Sequence, residues 1–325
     1  MSVPDAALVL TAGLGTRLRP LTYVRAKPAV PVVGETVIRR IIRWLARAGI
    51  REVVLNLHYR PEGITAETGD GSDLDVRVRY SWEQPILGSA GGPRHALSLL
   101  GRETFFVVNG DTITDVDLCA LADAHARSEA IVTLALTRNR DPLRYGGIAL
   151  DEDGIVTTFV PRGSAEPADH FIGVQIVDRS AFNDLPDGVP AEAFGGVYQK
   201  LLAQRPGSVR GFVCEAGFWD LGTTGDYLAA TLAIARRENV RQLPLGRRSR
   251  VDSSSRLLDT IVWDDVVVEK DCELIRCIIA DGARIPAGSR LTEMAIVPAN
   301  GRTAAAGETL TGDLLMARIP GTHVA

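Results

Sequence analysis

The amino-acid sequence predicts the α/β class: a mostly parallel sheet covered by helices, followed by a small β-helical tail. Three observations predict it. From Ala6 to Leu136 short β-rich apolar runs alternate with helical periods, as parallel strands and their covering helices do. Two glycines, Gly13 and Gly15, bracket the exit of the first apolar run. Beyond residue 250 the apolar pattern recurs at a spacing of seventeen, the mark of stacked coils.

Buried strands are expected at Ala6–Thr11, Val53–Leu57, Val76–Tyr80, Phe105–Val108 and Ile131–Leu136. The clearest helix carries Val37, Ile38, Ile41, Ile42, Leu45 and Ala48 on one face, with Thr36 to cap it and Gly49 to end it. Arg39, Arg40, Arg43 and Arg47 decorate its other side, read as a solvated surface rather than a nucleic-acid face because the net charge is negative. A last helix runs from Tyr227 to about Asn239, and the arginine-rich stretch Arg241–Arg250 suits a linker.

Ile261–Val268 then aligns with Ile278–Ile285, Leu274 with Leu291, and a third, weaker copy starts at Ala295–Pro298. Two to three short-stranded coils of this kind predict a small left-handed β-helix. Hexapeptide-repeat acyltransferases share that fold but need more coils and usually a catalytic histidine, whereas this tail has only His323. Its expected role is a lid, an oligomer contact or a buttress. The chain thus divides into a catalytic region 1–240, a linker 241–250 and a tail 251–325, with a homo-oligomer formed through the tail.

Composition narrows the function. With 325 residues, 46% hydrophobic and 23% charged, the chain can bury a sizeable core. A net charge of −4 makes neither nucleic acid nor anionic membrane a partner, so any phosphate must be held by local charge. No uninterrupted apolar run reaches the ~18 residues of a membrane span, and Met1–Asp5 lacks the basic start of a secretory signal. A cytoplasmic enzyme is expected. The four cysteines are too sparse for a disulfide scaffold, and Cys272 and Cys277, five apart, lack the paired spacing of a zinc site. Reduced, mostly buried thiols and no zinc are expected.

The stretch Leu10-Thr11-Ala12-Gly13-Leu14-Gly15-Thr16-Arg17-Leu18-Arg19-Pro20-Leu21-Thr22, followed by Lys27-Pro28, has the makings of an anion cradle. Glycine lets main-chain N–H groups approach phosphate oxygens closely, and Arg17 and Lys27 supply neutralising charge. It is not the dinucleotide fingerprint, whose third glycine would fall at Leu18. Nor is it a P-loop, because no Gly-Lys-Ser or Gly-Lys-Thr follows.

This long gapped motif resembles the signature of the sugar-1-phosphate nucleotidylyltransferases, or NDP-sugar pyrophosphorylases. The likeness continues through Glu83-Gln84-Pro85-Ile86-Leu87-Gly88-Ser89-Ala90-Gly91-Gly92, Asn109-Gly110-Asp111, Tyr145-Gly146-Gly147 and Phe218-Trp219-Asp220-Leu221-Gly222, in family order over roughly residues 3–238. It implies a Rossmann-like sheet of the nucleotide-diphospho-sugar transferase fold. Ala12, Gly13, Gly15, Thr16 and Arg17 would hold the nucleotide, with Lys27 gripping its triphosphate and Gly88 along the nucleoside. Asp111 and Asp220 would hold Mg²⁺. In isolation, Asn109–Asp111 reads as an ordinary turn and Asp220 as a cap for the helix that follows; only their combination points to a metal.

The implied reaction joins a nucleoside triphosphate to a sugar-1-phosphate and releases pyrophosphate. The attacking phosphate, with a second pKa near ~6, is already ionised, so no protein nucleophile or general base is required. The five histidines are then structural or exposed.

Departures from the family bear on the sugar. Where relatives end Glu-Lys-Pro, this chain reads Pro161-Arg162-Gly163, so Arg162 replaces the sugar-phosphate lysine and a hydroxyl-binding carboxylate is missing. Phe171 stands where many relatives have Asn, either against the sugar ring or in the core, while Gly146 and Gly173 permit close approach to the sugar. Glu83 is expected near the base, where a carboxylate can accept both guanine donors. Glu83 and the tail favour mannose-1-phosphate guanylyltransferase chemistry. Uridylyl or thymidylyl transfer to glucose-1-phosphate, an amino sugar phosphate or N-acetylmuramate-1-phosphate is the alternative, and a non-catalytic regulatory subunit that binds nucleotide sugars is the reading from another class.

Overall fold

The computed structural model describes residues 3–321; His323, and Met1 and Ser2 of the amino-terminal stretch examined for a leader, lie outside them. The chain forms two compact units. One contains the residues through Gly13 together with Ile38–Phe218, and the other contains Leu14–Val37 and the chain from Trp219 onward. These units do not follow the boundary at residue 240 read from the sequence.

The first unit is built on a nine-stranded mixed sheet. Its parallel part sets Thr104–Asn109, Ala6–Leu10, Glu52–Leu57 and Arg77–Trp82 side by side. Every expected strand is present to within two residues, because runs such as Val53-Val54-Leu55 are buried on both faces. Asp169–Asp178 runs antiparallel to Thr104–Asn109 and to Val132–Arg138, and continues the sheet to the hairpin Gly147–Leu150/Val156–Val160. The helix Val37–Arg47 starts where its apolar face begins, and Gly49 follows it at φ 94° with its N–H on the Ala46 carbonyl. Cys272 and Cys277 are buried, but Cys119 is exposed. Among the described residues no helix is long and apolar enough to cross a membrane.

In the second unit, the spacing of seventeen becomes strand register. Val251, Val268 and Ile285 stack in one parallel sheet, Leu257, Leu274 and Leu291 in a second, and Ile261, Ile278 and Ala295 in a third. The corners repeat as well: Arg248, Asp265 and Gly282 all have positive φ, as do Asp259, Arg276 and Glu293. The expected linker is in fact the first coil. Leu245 bridges Val262, and Arg247 and Arg248 pair with Asp264 and Asp265, one coil further on. The arginines that looked like linker composition are outward corner residues neutralised across the stack. The hairpin Glu308–Thr311/Leu314–Arg318 closes antiparallel on Met294–Pro298 and ends the helix of coils.

Trp263 is wholly buried in this unit, and its indole N–H donates to the Tyr227 hydroxyl at 3.0 Å, which in turn donates to the Pro31 carbonyl. Trp263→Ala is expected to cost about 3–5 kcal/mol in denaturant unfolding through the cavity it leaves. Trp263→Phe should cost about 1–3 kcal/mol, chiefly by taking the Tyr227 hydroxyl's donor away.

Candidate active site

In the first unit the parallel strands end together, with Leu10 level with Asn56 and Asn109, and Leu57 level with Trp82. Thr11, Ala12, Gly13, Glu83 and Asp111 therefore all follow the carboxyl edge of the sheet, where open α/β sheets bind ligands. The Gly110 N–H donates to the Leu10 carbonyl at 2.9 Å, tying the Asp111 turn to the exit of the first strand. Gly173 lies against this turn: a Cβ there would sit 3.2 Å from Asn109 Cβ and 3.3 Å from Thr112 Oγ1.

Glu83 corrects an expectation. It is 4% exposed, with Oε1 accepting from Asn56 Nδ2 at 2.7 Å and Oε2 from the Leu87 N–H at 2.8 Å. Asn56 Oδ1 accepts the Thr11 N–H at 2.6 Å. The carboxylate is thus committed to holding the 83–87 loop to the exit of the first strand, because a buried acid takes its partners from the nearest N–H groups. Both of its oxygens thus take partners from the chain itself. Sequence reasoning missed Asn56, whose single polar position inside an apolar strand was the available signal. Gly88 opens the helix Gly88–Leu100, and a Cβ there would lie 2.8 Å from the Ala191 carbonyl oxygen. Ser89 Oγ donates to Glu192 at 2.7 Å and accepts the Ala193 N–H at 2.9 Å.

Two of the residues expected on the sugar side lie at one end of the hairpin. Val160 pairs with Gly147, so Gly146 and the exposed Arg162 flank the same end. The Phe171 ring lies 5.2 Å from that of Phe194 at the edge of the core, which favours the core reading of this residue. An aromatic group that the sequence reading did not assemble stands beside Gly146: the Tyr145 ring is 4.2 Å from His170, which is 4.8 Å from Phe218. Burial raises the pKa of Asp169, the residue before His170.

In the second unit, the signature segment folds into three 3-10 turns, Thr16–Leu18, Leu21–Tyr23 and Lys27–Ala29. Gly15 has φ 62°, and a Cβ there would meet Thr22 Cγ2 at 2.8 Å and Lys27 Cβ at 3.4 Å, so the turn requires glycine. The Thr22 hydroxyl donates to the Gly15 carbonyl at 3.0 Å. Lys27 is 6% exposed, whereas Thr16 and Arg17 face solvent. Asp220 is not a helix cap. The helix Thr224–Arg237 is capped by Thr223 and Asp226 in a reciprocal pair. Instead, a Cβ on Gly222 would lie 2.9 Å from Asp220 Oδ2 and 3.3 Å from Arg17 Nη1, so the carboxylate and the guanidinium converge beside that glycine.

By contrast, a Cβ on Gly13 would meet nothing within 4 Å, and its φ is not positive. Among the described residues no contact within 4 Å stands against a side chain at this position. Among the described residues no three or more His, Cys, Asp or Glu cluster as a ready-made metal cage. Asp111 in the first unit and Asp220 in the second are each a hard carboxylate, the donor type that suits Mg²⁺, which takes one or two carboxylates and completes its shell with phosphate and water oxygens.

Residues 6–237 match the Nucleotidyl transferase family model, and residues 221–295 match the model of the GlmU-like, C-terminal hexapeptide. A mannose-1-phosphate guanylyltransferase of Mycobacterium tuberculosis is 33% identical over 88% of this chain and 77% of its own length. A UTP–glucose-1-phosphate uridylyltransferase of Synechocystis is 28% identical over 81% of this chain and 72% of its own. HddC from Yersinia pseudotuberculosis, solved in complex with GMP-PN, shares the fold with a TM-score of 0.60 at 24% identity, over 70% of this chain and 99% of its own. On its sequence match, its fold and the placement of its signature residues, the chain belongs to the nucleotidyl transferase family, among the sugar-1-phosphate nucleotidylyltransferases.

Proposed function

We propose that this chain makes a GDP-sugar, with mannose-1-phosphate as the acceptor and GTP as the nucleotide donor. The observation that carries the nucleotide reading is the pair of glycines in the signature loop. Gly15 is explained by packing on Thr22 and Lys27, whereas the open space at Gly13 is left for something outside the chain. Phosphate oxygens approaching main-chain N–H groups are the fitting occupant. The guanylyl preference rests on the mannose-1-phosphate guanylyltransferase likeness over most of the chain.

An oxygen of the sugar phosphate attacks the α-phosphorus in line, and pyrophosphate leaves. Arg17 and Lys27 neutralise the triphosphate and the charge that accumulates on the departing group. Asp111 and Asp220 would each offer a carboxylate to Mg²⁺, which when bound would shield the phosphate charges from one another. Arg162 grips the sugar phosphate, Gly146 and Gly173 let the backbone reach the ring, and Phe171 supports that wall from the core side. Glu83 acts on the nucleotide indirectly, by fixing the loop that leads to Gly88. The protein works in the cytoplasm as a homo-oligomer, and its β-helix is left-handed.

Pyrophosphate release across a panel of GTP, UTP and dTTP with hexose-1-phosphates should be Mg²⁺-dependent and fastest with GTP and mannose-1-phosphate. A UTP optimum would overturn the base assignment, and no turnover with any pair would favour a non-catalytic subunit. Asp111→Asn should lower kcat at least about 10²-fold at unchanged melting temperature, and full activity would refute its role in metal binding. Gly13→Ala should leave thermal stability intact and raise the NTP KM about tenfold or more. Glu83→Gln keeps one acceptor but loses the charge. It should lower stability by about 1–3 kcal/mol and weaken all nucleotides alike, whereas a selective loss of GTP would restore direct base reading.

A further inference from the structure

The side chain of Arg25, two residues before Lys27, points away from the signature loop into the β-helix of the same unit. Its guanidinium forks onto Asp281, with Nε–Oδ2 at 2.6 Å and Nη2–Oδ1 at 2.7 Å, and Nη2 also reaches Asp264 Oδ2 at 2.9 Å. Nη1 donates to the Ala29 carbonyl at 3.3 Å, and the guanidinium lies over the Trp263 ring, 5.4 Å from its centroid. The side chain is 13% exposed and Asp264 14%. Asp264 and Asp281 are equivalent positions on successive coils, seventeen residues apart.

The two acids are themselves locked. Asp281 Oδ1 accepts the Asp264 N–H at 2.9 Å, and Asp264 Oδ1 accepts the Arg247 N–H at 2.7 Å. Burial opposes the Asp264 charge, but the Arg247 N–H and the Arg25 and Arg247 guanidiniums outweigh it and hold its pKa below the usual carboxylate range. Within the loop, the Arg25 N–H donates to the Leu21 carbonyl at 3.2 Å, and its guanidinium holds Ala29 from the other side of Lys27. Arg25 therefore ties both flanks of Lys27 to a rigid stack of coils.

We propose that the second and third coils of the β-helix, through Asp264 and Asp281, set the position of Lys27 by way of Arg25, so that the tail is a working part of the triphosphate grip and Arg25 is its positioning residue. The proposal rests on the reading of Lys27 as a triphosphate ligand. A planar fork on two fixed carboxylates sets both distance and angle, which a lysine in its place could not do. Because the signature loop and the tail belong to one compact unit, the coils buttress the loop as part of its own packing.

The test uses the full-length protein. Asp264→Asn with Asp281→Asn, and separately Arg25→Lys, should raise the NTP KM about tenfold or more while the sugar-phosphate KM stays within about twofold. Exchanging the charges, Arg25→Asp with Asp281→Arg, should recover part of the loss. A variant that melts earlier yet keeps the wild-type NTP KM overturns the proposal, as does a rise in both KM values together. Should the double asparagine variant fail to fold, Arg25→Lys, which keeps the charge, decides on the same readout. GTP binding at equilibrium separates the two readings: wild-type protein that binds GTP without turnover sinks the catalytic reading alone, and equal GTP affinity in wild type and Arg25→Lys sinks the Arg25 role alone. Wild-type protein that binds no nucleoside triphosphate overturns both.

Discussion

A chain of net charge −4 that handles two polyanions must concentrate positive charge in one short segment and hold it there. On the proposed function Lys27 meets that constraint, with an ammonium-bearing side chain only 6% exposed. Burying a cation is costly unless its surroundings are fixed in place. The geometry around it follows from that need: Gly15 packs on its Cβ, Thr22 closes the turn, and Arg25 anchors the backbone on either side. The rest of the signature loop can stay exposed, as Thr16 and Arg17 do, because long-range attraction works best from solvent-facing charge while alignment needs a rigid one.

Glycine serves two different ends in this protein. At Gly15 and Gly88 a side chain would run into the chain's own atoms at a positive φ, so the residue is a condition of the fold. At Gly13 it is not. The contrast separates glycines that the chain's own packing requires from one that it does not, and it cannot be drawn from the motif, where all three are the same letter.

The parallel strands were legible because both faces are covered, which writes continuous apolar runs such as Val53-Val54-Leu55 into the chain. The β-helix was legible because each coil must present the same apolar positions to the next, so a spacing in sequence becomes a register in space. The antiparallel strand Asp169–Asp178 was less visible: polar and aromatic residues at its start belong to the aromatic group around Tyr145 rather than to the sheet's apolar pattern. The arginines of 241–250 misled because local composition cannot distinguish a solvated linker from corner residues whose acids lie seventeen positions on.

Glu83 marks the boundary between the two sources of knowledge. Its place five residues before Gly88 suggested, by the family resemblance, a base-reading carboxylate. Which atoms satisfy a buried acid depends on what the fold brings to it, here Asn56 and the Leu87 N–H. The sequence by itself determined the class, the order of the signature residues and the period of the tail, since backbone geometry imposes those patterns locally. Only the tertiary structure decided that Glu83 holds a loop, that Asp220 faces Arg17 instead of capping a helix, and that the tail shares a unit with Lys27. Hydrogen bonds and ion pairs between distant residues leave no periodic trace in the chain, because their partners are chosen by proximity after folding.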